Sequence, residues 1–182
     1  MNNLTTTDRL KELLPELFNQ KRSEGNYYLR LQLTADLNVL LDLSYVLESL
    51  TIDRSQITAI PNLPEYVVGL MSSRNQVFLA LDLAHLAGFA PATLNQREYQ
   101  TVVVQIGSSQ NKLQPDEFNL YGLTVKRILG ISRILPEKFE SSIAEAPANI
   151  QPLIQGSILE ERDSEFQRSY LIDLARLITN KI

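Results

Sequence analysis

Apolar and polar residues alternate along much of this chain, in short runs separated by polar turns. A period of two is the mark of β-strands. The clearest run is Tyr27–Leu33, with Leu29, Leu31 and Leu33 on one face and Tyr28, Arg30 and Gln32 on the other, which predicts a half-buried strand. Thr34-Ala35-Asp36 turns the chain, and strands follow at Leu37–Leu43 and Tyr45–Leu50 with a bend at Asp42-Leu43-Ser44. Further strands are predicted at Gly69–Ser72, Val77–Leu81, Gln100–Ile106, Phe118–Val125, Arg127–Ile134, Ile154–Leu159 and Phe166–Ile172. Between them the pattern gives a turn at Ser73–Gln76, a loop at Ala90–Tyr99, a long polar hairpin loop at Gly107–Glu117, an irregular stretch at Leu135–Pro152 and a charged turn at Glu160–Glu165. Ile60-Pro61-Asn62-Leu63-Pro64 is a rigid extended lead-in, because each proline fixes its own φ and pushes the preceding residue away from helix. Pro64 then opens a short helical turn through Val68.

Helical spacing marks the N-terminal segment. Leu10, Leu13, Leu14, Leu17 and Phe18 fall at i, i+3, i+4, i+7 and i+8, one face of an amphipathic helix capped by Thr7 or Asp8. Pro15 breaks or restarts that helix, since proline inside a helix costs about 3 kcal/mol. The apolar face packs either on the protein's own body or on a partner. Gln20–Asn26 is a polar linker, so residues 1–26 are set apart from the β-rich body, 27–182. Within that body, Asp82 caps a helix of about two turns that stops at Gly88, and Asp173 caps a terminal helix, Leu174–Asn180.

Two passages share one order of parts. GLMSSRNQVFLALDLAHL begins at Gly69 and GSILEERDSEFQRSYLIDLARL at Gly156; both run glycine, strand, charged turn, strand, then Asp-Leu-Ala-x-Leu opening a helix. Upstream, NVLLDLSYVLESLTI from Asn38 is mirrored by YGLTVKRILGISRI from Tyr121. Fixed-order self-similarity is evidence of a duplicated unit. Two small antiparallel units, each with a helical cap, are therefore expected, closed as barrels because closure removes exposed edges.

Composition narrows the function classes. The chain of 182 residues is 44% apolar, enough for a sizeable core, and its net charge of −4 argues against nucleic acid, which wants a basic face. It has no cysteine, which excludes disulfides and thiolate metal sites. The N-terminus lacks a secretory pattern, and no apolar run approaches the roughly 20 residues of a membrane span, so a cytoplasmic protein without membrane insertion is expected. The single histidine, His85, cannot make a multi-histidine metal site. No Ser-His-Asp arrangement or phosphate-binding glycine loop is present. No catalytic residue, metal or cofactor is expected.

The stretch Ile57–Phe89 resembles CheW-type coupling proteins of bacterial chemosensory systems, which show an Ile-Pro-x-x-Pro lead-in, a Gly-Val/Leu-x-Asn-x-Arg-Gly hairpin and an apolar strand ending in Asp-Leu. Ile60-Pro61-Asn62-Leu63-Pro64, Gly69, Arg74 and Leu81-Asp82-Leu83 match these parts. The likeness extends from about Tyr27 to Ile178, taking in Val46-Leu47-Glu48, Pro152 to Gly156 and Leu171-Ile172-Asp173-Leu174. Ser73 stands where the family usually has leucine, and Asn75 where it has glycine. Asparagine is the next most tolerant residue where φ is positive, so the turn survives. The N-terminal extension and Ser-Arg-Asn hairpin resemble the versions found in cyanobacterial phototaxis or twitching-motility clusters.

The resemblance implies a mainly β fold of two SH3-like five-stranded β-barrels around a shared core, with the N-terminal amphipathic helix and short capping helices added. It implies a non-catalytic adaptor that bridges the regulatory domain of a CheA-type histidine kinase to a methyl-accepting chemoreceptor tip. Val46, Glu48, Gly69, Leu70, Met71, Arg74 and Asn75 are the partner-binding candidates it points to. Arg74 is then a groove residue facing the receptor; a solvated turn arginine, or one paired with Glu48, is the structural alternative. Val46, Leu70 and Met71 are core or interface, with strand alternation turning one of each adjacent pair outward. The alternative function is a small β-barrel module of another signalling system, binding peptide by strand addition.

Overall fold

A computed structural model of the chain describes residues 25–92, 96–107, 118–141, 143–162 and 165–179. The expected N-terminal helix, most of its linker, the polar loop after Gly107 and the end of the terminal helix at Asn180 lie outside the described residues. The strands are β1 (Asn26–Gln32), β2 (Asn38–Asp42), β3 (Val46–Asp53), β4 (Val67–Ser73), β5 (Gln76–Asp82), β6 (Glu98–Gly107), β7 (Phe118–Val125), β8 (Arg127–Ile134), β9 (Ile154–Arg162) and β10 (Glu165–Ile172). Two short helices, α1 (Leu83–Leu86) and α2 (Leu174–Thr179), follow β5 and β10.

The strands form two five-stranded sheets, ordered β8-β1-β2-β10-β9 and β3-β6-β7-β5-β4. Exchanging each strand for its counterpart five places along the chain turns one order into the other. The repeat seen in the sequence therefore covers the whole set of strands. It also means that neither half builds a sheet alone. The chain changes sheet after β2, through a 3₁₀ turn at Leu43–Tyr45 where the Asp42 carboxylate accepts from the Ser44 N–H at 2.8 Å. It changes again between β7 and β8, at Lys126. The two halves meet in two parallel pairs, β2 with β10 and β5 with β7, and in two antiparallel ones, β1 with β8 and β3 with β6.

Each sheet curls around its own small core, and a larger core lies between them. Ile52, Met71, Phe78, Ala80 and Val103 fill one barrel; Tyr28, Leu40, Ile134 and Ile158 line the other. The shared core takes Leu29, Leu31, Leu33, Val102, Val104, Leu123 and the apolar faces of α1 and α2. Both helices are capped as expected: Asp82 accepts from the His85 N–H at 3.0 Å and Asp173 from the Arg176 N–H at 2.9 Å.

The open edge of each curled sheet is closed by the chain itself. After β3, Thr58 exchanges two backbone hydrogen bonds of 2.8 Å with Leu70 on β4; after β8, Glu140 exchanges two, of 2.7 and 2.9 Å, with Ser157 on β9. Both closures run past a glycine. A Cβ at Gly69, where φ is +149°, would lie 2.4 Å from the Thr58 carbonyl oxygen; one at Gly156 would lie 3.0 Å from that of Glu140. Gly69 also follows a bulge, since the pairing of β4 with β5 shifts between Val67 and Gly69.

The structure differs from the sequence reading in several places. β1 is buried on both faces, because Tyr28 and Arg30 point into a barrel while Leu29 and Leu31 point into the shared core. Arg30 is 3% exposed. It donates to Ser132 on β8 and Ser169 on β10, at 2.6 and 3.0 Å, and pairs with Glu160 on β9. The expected charged turn at Glu160–Glu165 is correspondingly shorter, because β9 runs to Arg162 and carries Glu160 inward to that pair. Pro64 opens a single turn, with the Val67 N–H on its carbonyl at 2.8 Å, and strand resumes at once. Helix α1 is one turn of four residues; Gly88, at φ +84°, ends it as expected.

Two stability predictions follow from this packing. Gly69→Ala should destabilise by about 2 kcal/mol more than Gly130→Ala, because both carry a positive φ but only Gly69 meets backbone. Equal urea midpoints for the two variants would refute the close-approach argument. Arg30→Met should cost roughly 2–3 kcal/mol, less than a fully buried pair because Glu160 is partly exposed. Adding Glu160→Gln should recover part of that loss, which the same urea titration checks.

Candidate functional site

The hairpin between β4 and β5 turns on two residues, Arg74 and Asn75, with φ of +48° and +63°. Two consecutive positive φ values make a turn whose twist matches that of the flanking strands. Asn75 tolerates that conformation, so the departure from glycine leaves the turn intact. Ser73, Arg74 and Asn75 are thereby presented at one end of the barrel.

Glu48 meets this turn from β3. Its Oε2 lies 2.9 Å from Arg74 Nε, and its Oε1 accepts from Ser73 Oγ at 2.5 Å. The Glu48 side chain is 17% exposed and that of Arg74 76%. The carboxylate is thus held on both oxygens while much of the arginine faces solvent. The pairing that sequence alone left open is present. A bulge aims Glu48 there: the register of β3 on β6 shifts between Val46 and Glu48, leaving Leu47 unpaired and exposed. Leu47, and Val77 beyond the turn, are exposed apolar residues that the sequence reading did not single out as site residues.

The other candidates divide between surface and support. Met71 is 2% exposed among Ile52, Phe78, Ala80 and Val103, so it is a core residue; of the pair Leu70 and Met71, alternation turns Leu70 outward. Gly69 is buried against Thr58 and offers no side chain to a partner. Val46 is half-buried on the shared core. Glu48, Arg74 and Asn75 are the candidates the structure brings together.

Among the described residues, no three His, Cys, Asp or Glu side chains gather to hold a metal ion. Hydrogen bonds from Ser55 hold the Asp53 carboxyl below its usual range. Burial pushes Tyr121 and Tyr170 up, with Arg168 opposing the shift at Tyr170. A groove of about 530 Å³ includes Asp36, Phe89, Phe166 and Arg168, but Arg168 is already matched by Glu140 at 2.7 Å and Glu145 at 2.8 Å.

The family model of the CheW-like domain matches residues 28–181. The chain belongs to the CheW-like family. Proteins of this family are non-catalytic scaffolds. Among solved structures, the crystal structure of the scaffolding protein TtCheW from Thermoanaerobacter tengcongensis matches with a TM-score of 0.64 and 19% identity, covering 84% of this chain and 92% of that one. At that identity the likeness establishes the fold, the two-barrel architecture of this CheW-like chain. Among curated proteins, none matches this chain. No helix among the described residues is long and apolar enough to cross a membrane.

The pairing of Glu48 with Arg74 spans a partly exposed site, so its coupling in a double-mutant cycle of Glu48→Gln and Arg74→Gln should be about 0.5–1 kcal/mol in low-salt urea titrations. It should shrink as salt is added. A coupling of zero at low salt would show that the two side chains do not hold one another in solution.

Proposed function

We propose that this CheW-like chain is a cytoplasmic adaptor coupling the tip of a chemoreceptor to the regulatory domain of a CheA-type histidine kinase, with residues 27–182 as the coupling body and residues 1–26 as an appended segment. The observation that carries this reading is the Glu48–Ser73–Arg74 cluster, which presents a charged hairpin tip on a rigid barrel. An adaptor of this kind transmits by position. A receptor shift reaches the kinase only if the contacts differ between the two signalling states, and a stiff body preserves that difference. Individual contacts of modest area suffice where many are made together in an array.

Arg74 serves in this reading as a contact to the receptor tip, Asn75 as the residue that shapes the turn, and Glu48 as the group that orients Arg74. Val46 and Leu70 supply apolar flank, while Gly69 and Met71 hold the hairpin in place.

NMR titration of the labelled chain with each partner tests this. Saturable shifts are expected with both, and Arg74→Ala should weaken receptor-tip binding by at least about tenfold, roughly 1.4 kcal/mol, with kinase binding unchanged. No saturable shift with either partner, in a folded chain, would refute the adaptor reading. Unaltered receptor binding by Arg74→Ala would remove Arg74 from the interface.

A further inference from the structure

The two halves can be compared position by position, because Leu29 opposite Ile131 in one sheet corresponds to Val102 opposite Ser49 in the other. On the face turned toward the shared core, β1 and β8 end in Tyr27, Ile131 and Arg133. The matching positions on β6 and β3 are Gln100, Ser49 and Thr51. One sheet therefore carries an apolar rim where the other is polar. Tyr27 is 51% and Ile131 59% exposed, and Arg133 lies over the Tyr27 ring at 5.3 Å. The repeated fold does not require this difference.

The halves also differ in what precedes them. β6 follows the loop from α1, whereas β1 follows residues 1–24, whose Leu10, Leu13, Leu14, Leu17 and Phe18 share one helical face by their spacing. That segment joins the body beside the rim: the Gly25 carbonyl accepts from Arg133 Nε at 3.4 Å. The residues from 19 to 24 reach up to about 20 Å. Ile131 lies two residues from Arg133, about 7 Å along the strand.

We propose that residues 8–18 dock across the rim of Tyr27 and Ile131, laying their leucine face on the apolar margin of the shared core. The apolar side chains on both sides are then accounted for by one contact, which the polar margin at Ser49 and Gln100 has no counterpart for.

The chain contains no cysteine, so introduced pairs can be read without background. Full-length chains carrying Ile131→Cys with Leu10→Cys, Leu14→Cys or Leu17→Cys are oxidised at low protein concentration. At least one should close an intramolecular disulfide about tenfold faster than Glu12→Cys with the same partner, because an undocked tether brings every position to Ile131 at a similar effective concentration. Ser49→Cys, at the matching polar margin, should show no such preference. In case Ile131→Cys disturbs β8, the same set is run against Tyr27→Cys. Similar rates for all positions against both rim residues would overturn the proposal. A disulfide-linked dimer in place of the monomeric product would also overturn it, assigning the rim to a second copy.

Discussion

Each sheet of this protein is assembled from both halves of the chain, and that constraint governs the rest. β1 and β2 are completed by β8, β9 and β10, while β6 and β7 are completed by β3, β4 and β5. A half taken alone leaves strand edges unpaired and its apolar face exposed, a state that invites association. The interleaving removes this problem and creates a core between the sheets, in which Leu31, Val104 and Leu123 are fully covered. The barrels are thereby locked together without a linker that could flex. For a scaffold, whose output is the relative placement of what it binds, such rigidity is the useful property.

Duplication fixed the backbone more closely than the side chains. The bulges at Leu47 and Leu129, the glycines at 69 and 156 and the aspartate caps at 82 and 173 recur because they solve problems of backbone geometry that both halves share. The interiors have diverged. Where one barrel holds Val103, the other holds Arg30, satisfied by Ser132, Ser169 and Glu160. A buried ion pair gives little net stability over an apolar filling, but a missing partner is costly. The polar barrel therefore depends on several residues acting together, while the apolar one tolerates changes that conserve volume.

The same distinction explains what the sequence disclosed. Alternation located the strands because most face a core on at least one side. The repeat was legible because Asp-Leu-Ala-x-Leu encodes a strand end and a cap in adjacent residues. Arg30 and Glu160 were misread because a charge in an alternating run signals solvent unless its partner is known, and that partner lies 130 positions away. Met71 was ambiguous for a related reason. Alternation says that Leu70 and Met71 point oppositely, but the direction is set by the bulge before Gly69, beside which Thr58 pairs with Leu70. Long-range contacts that reset local register are not present in any local pattern.

Glu48 illustrates how support and recognition become inseparable at the proposed interface. Its carboxylate is held by Ser73 and Arg74 at the turn and brought there by a bulge in β3. A substitution at Glu48 would free the Arg74 side chain to sample more rotamers, so a partner would meet the same charge at a greater entropic cost. Lost binding at Glu48 is thus compatible with a residue that touches no partner. Arg74 differs, because its side chain, held to Glu48 through Nε, is otherwise largely exposed and contributes little to stability. Kinetics separates the two roles: loss of orientation lowers the fraction of competent encounters, whereas loss of a contact chiefly shortens the bound lifetime.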